Sequence, residues 1–310
     1  MRKTADHPRF DDALSLLDAG DVERLRDLLV EEPGLVRARI TSEVSPYDGY
    51  FHRATLLHHV AGNPVREDLP DTIVEVARVV LEAGADPNAG CGGGPTQLDT
   101  GGGTTLGLVT SGAQAHVRSH TEALMDVLIE FGATLDPDGG MFGTLYHTVE
   151  HQGQREVARM LHARGVRADL PIAAGLGQLG LVRSFFDDGV PRPGSDDIWK
   201  RTARGGRPAT PPQVLADAVL AAAVNGYVEV VAWLIEQGAE VDMLRSWGAF
   251  EVTALHGAGW AGWPDVITLL LERGADPDIR DPTHDGTPRD WAHFAGHAEA
   301  VAAFDRSRSG

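Results

Sequence analysis

Between Thr253 and Asp281 the apolar residues fall at helical spacing, not in the alternation of a strand. Val266, Ile267, Leu269, Leu270 and Leu271 form one stripe, the pattern of a helix that buries a single face. A shorter helix precedes the stripe, and Gly262 makes the tight turn between the two. Gly274 stands where a helix end needs a residue able to turn left-handed, and Gly-Ala-Asp-Pro-Asp then leads into an extended hairpin. The layout recurs. Gly-Ala or a near variant closes a helix at Gly84, Gly132, Gly165, Gly189, Gly238 and Gly274. In four units a turn glycine precedes that closure by twelve residues: Gly153, Gly177, Gly226 and Gly262. A helix pair of this size cannot bury its stripe alone, so neighbouring copies must cover one another. The pattern predicts an all-α solenoid of about eight helix–turn–helix units joined by short β-hairpins, with several long loop insertions.

Thr253-Ala254-Leu255-His256, the Gly262–Gly274 step, Gly-Ala-Asp and the aspartate after the hairpin together resemble an ankyrin repeat. The resemblance covers most of residues 10 to 304, as one solenoid over 1–310 with units near 10–39, 54–89, 103–137, 143–167, 168–190, 214–243, 252–281 and 286–305. TLLHHVAGN and GGGTTLGLVTS are similar to a bacterial subset of the family. The resemblance implies a scaffold that binds a protein or peptide partner, with hairpin tips and inner helices as the contact surface. It also implies that the histidine of Thr-x-x-His ties neighbouring hairpins together, a structural role for His58, His147 and His256. Several stretches depart from the pattern: the connection 40–53, the insertions NPVREDLPDT and GAQAHVRSH, and the glycine-rich 90–103. The fifth unit, IAAGLGQLGLVRSFFDDG, reads as having lost its hairpin. The Pro/Gly/Arg-rich excursion 190–212 reads as docking back through Ile198 and Trp199.

Charge narrows the partners. With 27 Lys and Arg against 45 Asp and Glu, the net charge of −18 offers none of the clustered cations that nucleic acid requires. An acidic surface favours a basic or apolar partner, within the range of about 10 Å that salt leaves to exposed charges. No apolar run reaches the roughly 18 residues of a membrane helix. MRKTADHPRF has no signal-peptide core, and Cys91 is the lone cysteine, so the expectation is a cytoplasmic protein without disulfides.

Once the repeat histidines are set aside, two metal-like patterns remain. His147-Thr148-Val149-Glu150-His151 spells H-x-x-E-H, a zinc-peptidase motif in which the glutamate activates a metal-bound water. His147 is already explained by the repeat, however, and a short pattern matches often by chance. His116 and His120 are four apart but read more simply as a polar turn. No metal, cofactor or catalytic residue is assigned. Unit alignment points elsewhere: the place that is Ala61, Ala174, Ala223 or Gly259 in other units holds Glu150 in one and His293 in another. An ionisable group in such a crowded slot must be paired or face a cavity. The following inner-helix places include Asn63, His151, Gln152, Asn225, Trp260 and Phe294. Together with Glu150, Trp291 and His293 these are the candidate binding residues, polar at one end and aromatic at the other. Two functions fit. The first is a non-enzymatic scaffold anchored on Trp260 and Phe294. The second is a small-molecule-binding or catalytic site roofed by the insertions around Glu150 and His151.

Overall fold

The computed structural model describes residues 5–40, 52–61, 69–91, 103–111, 115–135, 145–150, 154–199, 207–248 and 250–307. These residues are mostly helical, with three two-stranded antiparallel hairpins among them. The chain forms two compact units, Met1–His147 and Thr148–Gly310.

The first unit opens with the helices Phe10–Asp18 and Val22–Glu31. Asp21 caps the second by accepting a hydrogen bond from the Arg24 N–H at 3.2 Å. Phe10, Ala13, Leu17, Leu25, Leu28 and Leu29 face inward. Leu56–Ala61, expected as an ordinary inner helix, is a 3-10 helix with every side chain buried. It packs on Ile73–Glu82. The hairpin Gly90–Cys91/Gly103–Thr104 leads to the helices Thr105–Ser111 and Ala115–Glu130. The AHVRSH part of the expected third-unit insertion is therefore helical: it forms the start of Ala115–Glu130, so the polar turn read at His116 and His120 is a helix.

In the second unit the helix Arg155–Ala163 precedes four helix pairs. They are Leu170–Gly175 with Leu179–Arg183, Pro211–Val224 with Val228–Glu236, Ala254–Ala261 with Pro264–Glu272, and Pro288–Phe294 with Ala298–Ser307. The first member of each pair packs against the first member of the next. A helix covered on several sides has no polar face to keep, and Pro211–Val224 is buried continuously from Val214 to Val224. Alanine suits that position, because Ala218, Ala222, Ala223 and Ala258 let the helix backbones approach closely. Starts are capped by Thr210, Thr253 and Thr287 in reciprocal capping boxes.

The fifth unit does have a hairpin, contrary to the sequence reading. Phe186 pairs with Pro191 and Asp187 with Val190, and Asp188 and Gly189 turn between them at φ 49 and 79. Strands of two residues leave no alternation to read. The excursion that follows docks as its apolar residues require: Trp199 is fully buried and lies 5.9 Å from the Trp247 ring.

Two interhelical turns of the second unit share a device. A methyl group placed on Gly226 (φ +78) would come within 2.7 Å of the Trp263 ring, and one on Gly262 (φ +75) within 2.6 Å of His297. At Gly226 and Gly262 the turn glycine is thus covered by the ring that follows the next unit's turn glycine.

Candidate functional site

The site is assembled from the hairpin Arg245–Trp247/Phe250–Val252, the 281–286 turn, and the helices Ala254–Ala261 and Pro288–Phe294. His256 holds turn and helix together. Its Nδ1 lies 2.8 Å from the Thr253 hydroxyl and its Nε2 3.1 Å from the Gly286 carbonyl. The equivalent His58 sits 2.8 Å from Thr55 Oγ1 and 2.9 Å from the Ala89 carbonyl. Burial pushes the His58 pKa down to about 4, against the raising effect of that carbonyl. Both rings are structural ties.

Asp281 is the hub of the turn. Its Oδ1 accepts from the Thr283 and His284 N–H groups at 3.0 and 2.8 Å. Its Oδ2 accepts from the Gly286 N–H at 3.1 Å and the Trp291 indole N–H at 2.9 Å. Burial acts to raise the carboxyl pKa, but the indole bond and the backbone N–H groups outweigh it and hold the value at about 2.

With its nitrogen fixed, Trp291 becomes the centre of an aromatic cluster. Phe250, His256, Trp260 and His284 all meet it edge-on, at 5.6, 5.7, 5.8 and 6.1 Å between ring centroids. Trp260 in turn stacks on Phe294, 6.2 Å apart and 19° from parallel. Trp260 is 37% exposed and Phe294 83% exposed, against full burial of His256 beneath them. The face is apolar and open to water.

Trp260, Trp291 and Phe294 are therefore together. His293, on the same short helix, is exposed, so the crowded slot expected for it is absent. Glu150 lies elsewhere: it is 9% exposed and its Oε1 accepts from the Gly248 N–H at 2.7 Å. That is the paired alternative for an acid in a tight place. Asn225 is buried, with its amide donating to the carbonyls of Val149 and Ala221 at 2.8 and 2.9 Å. Arg155 reaches the Asn225 carbonyl at 3.0 Å and lies 4.6 Å over the Trp263 ring. Asn225 thus fastens backbone inside the unit and is covered from partners. Asn63, His151 and Gln152 lie outside the described residues, as do the side chains of His116 and His147.

Sequence reasoning missed Asp281 and His284 as supports of the aromatic face. The signal was present in Asp-Pro-Thr-His-Asp-Gly, a turn in which an aspartate accepts from backbone N–H groups two and three residues on.

A separate pocket of about 520 Å³ lies beside the excursion, lined by Arg167, Asp169, Phe185, Asp197 and Ile198 among others. Asp169 accepts from the Trp199 N–H at 2.6 Å and the Ile172 N–H at 3.3 Å. Burial pushes its pKa up to about 7, which the backbone bonds from Trp199, Ile172 and Ile198 only partly offset.

Residues 251–282, the segment that carries the Thr253–His256 tie and the Asp281 hub, match the family model described as Ankyrin repeat. The chain thus contains an ankyrin repeat. Among curated relatives, the E3 ubiquitin-protein ligase hecd-1 of Caenorhabditis elegans is 40% identical over 60 residues, covering 19% of the chain and 2% of the ligase. The probable E3 ubiquitin-protein ligase XBOS34 of Oryza sativa subsp. japonica is 40% identical over 79 residues, covering 25% of the chain and 15% of that protein. The chain thus aligns with only a small part of either relative's length. Among solved structures, the human ASB11 ankyrin repeat domain aligns over 97% of both chains at 20% identity, with a TM-score of 0.44. Among the described residues, no helix is long and apolar enough to cross a membrane.

Proposed function

We propose that the protein is a non-enzymatic interaction scaffold of the bacterial cytoplasm that binds a basic or apolar protein or peptide partner. Ankyrin repeats generally mediate protein–protein interaction. The observation that carries the reading further is the open Trp260–Phe294 stack, backed by Trp291 against Trp260. Large aromatic side chains that are ordered before binding lose little conformational freedom on contact, which is why they dominate interface energetics. The ligase activity named for the two curated relatives belongs to proteins of which this chain matches only 2% and 15%. It forms no part of the proposal.

The test is the Trp260→Ala/Phe294→Ala double variant, compared with wild type in quantitative capture from native lysate and in denaturant melts. Each truncation should cost binding about 2 kcal/mol or more. Folding stability should fall by well under the 3–5 kcal/mol, roughly, of a truncated core aromatic. Unchanged capture, or a loss of stability of core size, would refute the assignment of these two rings as anchors.

A second reading is favoured by one observation, the pocket of about 520 Å³ beside Arg167 and Asp169, a volume in the range of small-molecule sites. It lies at the excursion rather than at Glu150. A small molecule copurifying with wild type and lost in Arg167→Ala would favour that reading over a protein partner.

A further inference from the structure

The chemistry of the partner side chain follows from how this molecule treats its own half-exposed rings. Resting on the partner-binding reading above, we propose that the open face of the Trp260–Phe294 stack receives an arginine guanidinium presented by the partner. Four partly exposed rings are each covered by a guanidinium of the chain itself. Arg78 lies 5.7 Å over Phe131, Arg183 5.7 Å over Trp233 and Arg155 4.6 Å over Trp263. Tyr227 is approached by both Arg155 and Arg159, at 5.7 and 5.8 Å. Trp260 and Phe294 are more exposed than any of these, yet no guanidinium lies over either among the described residues.

The arginines of the same segments are engaged otherwise. Arg289 is paired with Asp305 at 2.8 Å, and Arg280 with Asp285 at 3.7 Å. With a net charge of −18, the chain as a whole attracts a cation and opposes an anion. Aromatic faces carry negative potential, so a cation over the stack gains from ring and net charge together. A guanidinium suits the site better than an ammonium because it is planar and less strongly hydrated, so it can lie flat on Phe294 without losing much solvation. An apolar side chain would cover the same area but leave the charge unused.

The test uses fluorescein-labelled alternating Gly-Arg peptide and three versions of it, with arginine replaced by citrulline, lysine or leucine. Anisotropy is read at one fixed ionic strength. Wild type should bind the arginine peptide about tenfold or more tightly than the citrulline peptide, which keeps the planar shape and loses the charge. Lysine should fall between them. Phe294→Leu, which keeps apolar volume and removes the ring, should weaken the arginine peptide by about tenfold and leave the leucine peptide nearly unaffected. Phe294→Trp should restore or strengthen arginine binding. Melts of both variants should match wild type, because the side chain is exposed. No measurable binding of the arginine peptide, equal binding of the arginine and citrulline peptides, or indifference to Phe294→Leu would each overturn the inference. Preference for the leucine peptide, abolished by Phe294→Ala, would overturn it while leaving the partner-binding reading intact. Unchanged lysate capture by the double variant would instead remove that reading itself.

Discussion

Two buried aspartates in the second unit respond to pH in opposite directions. Asp281 has its pKa depressed to about 2. Its contribution to stability is therefore fully present above the unfolded value of about 4 and lost as pH falls through 2. Asp169 is the reverse, raised to about 7. The folded state holds its proton more tightly than the unfolded chain does, so its contribution is fully present below about pH 4 and lost as pH rises towards 7. Urea midpoints measured from pH 2.5 to 8 separate the two. Asp281→Asn should be destabilised at pH 7 by on the order of 1–2 kcal/mol, with the gap to wild type closing in acid. Asp169→Asn should show a flatter profile than wild type between pH 4 and 8. His256 is tested at the same scale: His256→Ala removes a buried partner of the Gly286 carbonyl and should cost about 1–3 kcal/mol in the same melts.

Pairs of helices are joined through the ring-covered glycine turns. Gly226 and Gly238 have similar left-handed geometry, φ +78 and +90, but only Gly226 lies beneath a ring, with nothing within 4 Å of the added methyl at Gly238. Alanine at Gly238 should cost about 1–2 kcal/mol for the left-handed backbone alone. Alanine at Gly226 should add roughly 1–3 kcal/mol from displacing Trp263, and comparative urea denaturation reads the difference. The repeating units were legible in the sequence because an apolar stripe, a turn glycine and a closing glycine are local signals. Trp260, Trp291 and Phe294 were legible as inner-helix positions for the same reason. What the residues touch was less so. Glu150 meets Gly248 across 98 positions, and the Asp281–Trp291 bond joins a turn to a helix that no periodicity connects. The hairpin at Phe186–Pro191 escaped because its strands are too short to alternate, and the start of Ala115–Glu130 because its polar residues hide the helical spacing.

At the level of the whole molecule, protection from solvent should be uneven. Pro211–Val224 is buried from Val214 onward and packs between Leu170–Gly175 and Ala254–Ala261. Its amides should exchange with deuterium more slowly than those of Phe10–Asp18 and Ala298–Ser307, whose outer faces are solvated, because exchange there requires the larger opening. Hydrogen-exchange mass spectrometry orders the segments, and fastest exchange in 214–224 would contradict this. The ring-covered turns carry a different consequence, for recombination. The Gly226 turn fits Trp263, steadied by Arg155 above it, and the Gly262 turn fits the smaller His297. A unit lifted out of this chain takes away a glycine cut for one ring and a ring cut for another glycine. The units are thus alike in outline but not interchangeable. Deleting a single one would bring His297 onto Gly226, with the indole nitrogen's bond to the Val224 carbonyl at 2.7 Å lost as well, so their order in the chain is fixed at the joints as much as in the core.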